Sequence, residues 1–348
     1  TIDSGSVDFG NIIMGGHLSI TSSSTIDAGN ITGSDYNLTL ASGSNGDITV
    51  GTVGANNAAV GTVSITPNGS GIISTAGDWY TNAATLGAMT LSGNYSITTS
   101  NDAVSIGHVK GARTLTISSG SGNVTLSSLG VTNTKLAALS LTTTGTTTVS
   151  GTWHIDSALS TGALTLGGAL TVVTSDDNIT LGAISGTSNL SLTSGSGTIT
   201  LANIGADGTA VGNLALSSSS AVSTTGNWYV GNITGNAALT STGALTIESG
   251  SVDFANIIMG DNLSITSSST IDAGAITGAG HNLTLASGAN GNITLGAVGA
   301  NNAAVGTVSI TPHGSGIIST AGDWYTNAIA LGAITPSGAL TITTSNDD

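Results

Sequence analysis

Four tryptophans stand in matching settings: GDWYTN (77–82), GTWHID (151–156), GNWYVG (226–231) and GDWYTN (322–327). Trp79, Trp153, Trp228 and Trp324 are separated by 74, 75 and 96 residues. Tyr80, His154, Tyr229 and Tyr325 follow them directly. An aromatic face held at a surface can stack on a sugar ring, so the series reads as a row of glycan platforms. The same spacing also fits a second role, in which a large side chain fills a wide corner of a repeating coil. Adjacent residues of a strand face opposite ways. One member of each pair is then buried and the other exposed.

Other chemistry-bearing groups are sparse. Asn37, Asn189 and Asn282 open NLTL, NLSL and NLTL sequons and are candidate glycosylation sites. An Asn stack turned inward and bonded from coil to coil accounts for them equally well. Asp176–Asp177, Asp347–Asp348 and Asp3 with Asp8 are the closest acidic groupings. None has EF-hand or glycine-rich calcium-repeat spacing, and they read as solvated turns. The five histidines, His17, His108, His154, His281 and His313, lack metal-site spacing. Lys110, Arg113 and Lys135 lie close in sequence, with Asp102 and Asp156 a few coils away. That small basic patch is the nearest approach to a polysaccharide-cleaving centre. Nucleophile-elbow, phosphate-loop and paired-carboxylate motifs are missing. The expectation is a non-enzyme without catalytic residues, metal or cofactor.

Composition narrows the class. Charged residues make up 6% of the 348 positions, against roughly 25% in an ordinary globular protein. Eighteen acidic groups against three basic ones leave a net charge of −15, which disfavours nucleic acid and anionic membrane surfaces as partners. Cys is absent, so no disulfide framework exists. The apolar runs are too short to cross a bilayer. A hydrophobic fraction of 39% with only three prolines argues for a packed fold rather than disorder.

The elements that must position these residues come from repetition. Residues 1–102 return as 246–347, an offset of 245 residues, at about four in five identical positions. A shorter rhythm runs beneath. LSIT (18–21), NLTLASG (37–43), TVSITP (62–67), TLTISSG (114–120), LSLTTTG (139–145) and NLSLTSG (189–195) recur through the chain. Within each, apolar and hydroxyl residues alternate with period two and end at Gly, Asn and Ser clusters, a strand–turn signature. The pattern predicts an all-β, right-handed parallel β-helix with about 24 residues per coil and roughly 14 coils. It predicts one continuous solenoid over 1–348, with Leu38, Leu40, Ile48, Leu190, Leu192, Leu283 and Leu285 inward and Thr39 and Thr284 outward. Thr1 lies within a repeat, so a segment of a longer chain is expected.

The runs NLTLASGANGNITLGAVGA (282–300), NLSLTSGSGTITLANIGADG (189–208) and ALTLGGALTVVTSDDNITLGAI (163–184) resemble the secreted β-helical adhesins of Gram-negative bacteria. These are the filamentous-haemagglutinin and high-molecular-weight-adhesin type. The resemblance covers essentially the whole chain and is one of rhythm. It implies an extracellular or cell-surface fibre that continues into further repeats or self-associates. A glycan or host surface would be its partner, and no part of the segment would insert in a membrane.

Overall fold

The computed structural model describes residues 1–235 and 237–345, which form strands, turns and bends without any helix. The chain divides into two compact units. One comprises Thr1–Ser160 with Leu170–Val173; the other comprises Thr161–Ala169 with the described residues from Thr174 on. Each is a parallel β-solenoid, and the turns number about 17 at about 20 residues each.

A column of apolar residues shows how a turn stacks on the next. In the first unit Ile20 pairs with Leu40, Leu40 with Ile65, Ile65 with Leu86, Leu86 with Ile106, Ile106 with Leu126 and Leu126 with Val149. All seven are buried. In the second unit Ile247, Ile265, Leu285, Ile310 and Leu331 form the matching column. The steps Ile20–Leu40–Ile65–Leu86 and Ile265–Leu285–Ile310–Leu331 are identical in length, so the near-copies share one register. Leu38, Leu40, Ile48, Leu190, Leu192, Leu283 and Leu285 point inward as alternation requires, and Thr39 and Thr284 point out.

The expected 24 residues per coil is too long, and 14 coils too few. Turns without a surface excursion are short: Val222 pairs with Leu239 and Leu239 with Ile257. The Leu-Thr-Leu and Leu-Ser-Leu marks also skip turns. Between TVSITP and TLTISSG the chain stacks Ala84 on Val63 and Val104 on Ala84 without displaying either mark.

Two polar devices hold the corners. Not every Ser and Thr faces water: Ser22, Ser42, Thr99, Ser119, Thr174, Ser194 and Ser287 are buried. Each hydroxyl donates to a carbonyl three or four residues on, as Ser119 does to Gly122 at 2.9 Å and Thr99 to Asp102 at 2.7 Å. A buried hydroxyl has to be satisfied, and this bond closes the bend at the same time. The second device is the asparagine. Asn37 Oδ1 accepts from Thr62 N–H at 3.0 Å, Asn189 from Asn213 at 2.8 Å and Asn282 from Thr307 at 2.8 Å. These three side chains are exposed, not stacked inward. The coil-to-coil bond runs along the outside of the corner, to a backbone group one turn ahead.

A few buried groups break the pattern, Thr75 and Tyr95 among them. Tyr95 lies edge-on to Trp79, with ring centroids 5.2 Å apart and planes at 85°. Burial pushes its phenol well above the usual range, and the hydroxyl has no hydrogen-bond partner. The near-copy carries Leu340 at this position. Tyr95→Phe is expected to stabilise the protein by about 1 kcal/mol, because it removes an unpaired buried hydroxyl and keeps the ring. The check is the unfolding midpoint; a Phe variant less stable than the parent would mean that the hydroxyl is satisfied.

Candidate functional site

The tryptophans are core residues. Trp79, Trp153, Trp228 and Trp324 are each 0% exposed, so none offers a face for a sugar ring. Their indole N–H groups are satisfied internally. Trp79 donates to Gly51 O at 2.9 Å, Trp153 to Ser127 O at 2.6 Å and Trp324 to Gly296 O at 3.1 Å. Trp228 donates to Thr224 Oγ1 at 3.1 Å. The corner-filling role holds for all four, and the tryptophan half of the glycan row is withdrawn. Tyr80, Tyr229, Tyr325 and His154 sit half-buried on the opposite face of the same strands.

What the tryptophans stack on was missed from the sequence. Trp79 bridges to Val53, Trp153 to Leu129, Trp228 to Ile204 and Trp324 to Val298. Each of these apolar residues is followed by glycine and then a four-residue excursion: ANNA (55–58), VTNT (131–134), ADGT (206–209) and ANNA (300–303). The ends of each excursion bond mutually, as Val131 N to Thr134 O at 3.0 Å and Thr134 N to Val131 O at 2.9 Å. Each makes a two-residue finger with its tip in solvent. The excursion widens its turn, and the indole of the following turn fills the space beneath. The signal was legible as an apolar-Gly-Ala/Val-x-x-Ala/Thr motif 24–26 residues ahead of each Trp.

The chain just past a finger is bonded to the backbone of the half-buried residue one turn on. Val60 N–H donates to Tyr80 O at 3.0 Å, Leu136 to His154 O at 2.9 Å and Val211 to Tyr229 O at 2.9 Å. At the third finger a surface notch is lined by Ala206, Gly208, Ala210, Tyr229, Val230 and Glu248.

The second finger differs chemically. Lys135, His154 and Asp156 replace Ala59, Tyr80 and Asn82 at the first finger, and Ala304, Tyr325 and Asn327 at the fourth. Lys135 and Asp156 line one cleft with Ala112, Thr132, Asn133 and Thr134. Burial, and then Lys135, hold the His154 imidazole below its ordinary range. Protonation therefore favours the unfolded chain, and this contribution to stability falls as pH drops below the usual histidine value. Of the basic residues, Arg113 approaches through its backbone, accepting from Ala137 N–H at 3.1 Å. Lys110 is exposed on the strand Val109–Lys110, and Asp102 lies exposed at a separate corner.

The remaining candidates are structural in their contacts. His17 Nδ1 accepts from Asn37 N–H at 2.9 Å, and in the copy Asn262 Oδ1 accepts from Asn282 N–H at 2.7 Å. That shared acceptor role explains a His-to-Asn exchange between copies. Asp176 takes a positive-φ corner and accepts from Ser196 N–H at 2.9 Å. Asp347 and Asp348 lie outside the described residues. Asp8 stacks on Asp27, and Asp253 on Asp272. Burial, then the Asp272 charge, raise the Asp253 carboxyl. The folded chain holds that proton more tightly than the unfolded one, so stability falls as pH rises through its range. Among the described residues, no three His, Cys, Asp or Glu converge on a metal-sized site.

Fold and fingers together define the class: a parallel β-solenoid repeat protein, its turns studded at intervals by two-residue surface fingers. Comparison with family models, curated proteins and solved structures returned no match.

Proposed function

We propose that this chain is a structural repeat segment of an extracellular adhesive protein, in which stacked turns form a stiff shaft that spaces or displays other parts at the cell surface. The observation that carries this reading is the recurrence of residues 1–102 as 246–347, offset by 245 residues, in identical register. Duplicating a unit adds turns and repeats every exposed feature, but builds no new geometry around a single centre. Each turn is held to its neighbours by ladder hydrogen bonds and corner asparagines, so bending strains many bonds together. A hydroxyl- and amide-rich surface with few charges is insensitive to salt. The adhesin-like rhythm of the sequence supports the same reading and the same location.

The test is length. Inserting one further 245-residue unit should lengthen the particle in electron micrographs by about 58 Å, the rise of about 12 turns at ~4.8 Å per stacked strand. A compact particle of unchanged length would overturn the proposal. So would a polysaccharide-cleaving turnover lost on Arg113→Ala or Asp156→Asn.

A further inference from the structure

The notch at the third finger brings together an aromatic ring and a carboxylate, a pairing found at none of the other three. Tyr229 is fixed at the base of the finger from both sides. Its N–H donates to Ile204 O at 2.7 Å, and its carbonyl accepts from Val211 N–H at 2.9 Å. Adjacent residues of a strand face opposite ways, so with Trp228 in the core the half-buried Tyr229 ring is turned to the surface. One turn on, Glu248 stands in register with Tyr229, and Val230 N–H donates to Glu248 O at 3.0 Å. The two side chains leave the same face about one strand spacing, ~4.8 Å, apart. Ala206, Gly208 and Ala210 of the finger form the other wall, and the notch holds about 280 Å³. That is room for one side chain rather than for a drug-sized molecule.

The other fingers lack one part or another. Tyr80 at the first is in register with Thr98, and Tyr325 at the fourth with Thr343. The second has His154 in place of the tyrosine. Gly208 also replaces Asn57 and Asn302 of the first and fourth fingers, and a methyl group placed there meets nothing within 4 Å. The third notch therefore opens directly to solvent. Its charge is uncompensated locally. Glu248 is exposed, and residues 161–348 contain neither lysine nor arginine. Asp207, at the tip of the same finger, is exposed and negative as well. A cation complements both walls, because a ring face and a carboxylate each attract one. A divalent metal is the wrong cation, since it takes six or more oxygen ligands or a converging set of side chains, and no such set exists among the described residues.

We propose that this notch binds an organic cation of the alkylammonium kind, such as a lysine side chain. The aliphatic stem lies against Ala206 and Ala210, and the ammonium sits between the Tyr229 ring and the Glu248 carboxylate. The site is complete within three neighbouring turns, so it does not depend on the shaft reading.

The experiment titrates n-butylammonium, and separately a short peptide with one central lysine, into the full chain while tyrosine ring resonances are followed by NMR. Both ligands should shift the Tyr229 ring saturably and leave Tyr80 and Tyr325 unmoved. Glu248→Gln should weaken both about three- to fivefold, the worth of one exposed charge pair. Tyr229→Leu should weaken them by about the same factor, the worth of an exposed cation–π contact. The neutral counterpart n-butanol should shift Tyr229 no more than Tyr80. Tighter binding of the peptide identifies a lysine carried on a partner chain, and tighter binding of butylammonium a small free amine. Four results would overturn the proposal. The first is no saturable shift at Tyr229. The second is equal shifts at all three tyrosines, which would mean diffuse attraction to an acidic chain. The third is unchanged affinity in a folded Glu248→Gln variant. The fourth is a Tyr229 shift produced by glucose and not by the amine, because the ring is then a sugar platform.

Discussion

Trp79→Ala is expected to destabilise the first unit by about 3–5 kcal/mol, the cost of emptying a buried aromatic site. The indole lies between Val53 of the turn before and Ile97 of the turn after, with Tyr95 edge-on. Its N–H supplies the Gly51 carbonyl with a partner. Removing the ring leaves a cavity beneath the 55–58 finger and an unsatisfied acceptor. Neighbouring turns carry each other's stability, so the loss should spread along the stack rather than stay local. Protection from hydrogen exchange should fall first at Val53, Val60 and Ile97, and the unfolding midpoint should drop. Trp79→Phe should recover part of the loss by refilling much of the volume. A glycan platform predicts the reverse, with weakened sugar binding and unchanged stability. An alanine variant as stable as the parent would restore that reading.

The core was the most legible part of the sequence because its signal is local. Leu38-Thr39-Leu40 states in three residues which side chains face in, and a one-residue slip would bury the threonine. The turn length was harder to read. It depends on which strands stack, and Ala84-Thr85-Leu86 is too plain to mark a turn that Val63 and Val104 cover from either side. Corner chemistry was half legible. The coil-to-coil role of Asn was foreseen, but exposure placed it outside, where Oδ1 reaches a backbone N–H 19–25 residues ahead. Nothing local distinguishes the buried Ser42 from the exposed Ser44. The difference lies in the bend that Ser42 closes onto Gly46.

The aromatic row was misread for a related reason. Periodicity reports that a residue recurs on one side of a turn, not whether that side is covered. Trp79 and Tyr80 have the same spacing to their counterparts, yet opposite environments. The missing fact was the finger one turn earlier, which creates the space an indole fills. Lys135 and Asp156 were noted separately as a basic group and a distant acid. The finger brings them to one cleft because Leu136 is bonded to the backbone at the end of the strand Thr147–Ile155 and just past it, through His154 O and Asp156 N.

Gly130→Ala should cost more than any substitution at a finger tip. Gly130 sits at φ +65°, where a side chain is strained by about 1–2 kcal/mol before any contact is considered. A methyl group there would also run into the His154 carbonyl and the Leu136 amide, both backbone. Those two groups bond each other at 2.9 Å, so the chain must give up that bond or move the finger. Gly54, Gly205 and Gly299 occupy the same conformation before the other three fingers, each against the carbonyl of Tyr80, Tyr229 or Tyr325. The expected loss for Gly130→Ala is therefore above the strain alone, about 2 kcal/mol or more. Asn133→Ala, at the exposed tip of the same finger, should change stability by no more than about 0.5 kcal/mol. The second finger offers an independent readout, because moving it carries Lys135 away from His154. The imidazole of the Gly130→Ala variant should then titrate closer to its ordinary value, while that of Asn133→Ala should not move. Equal stabilities for the two variants, with His154 unmoved in both, would show that the finger is a passive loop and that the glycine does not fix it over the following turn.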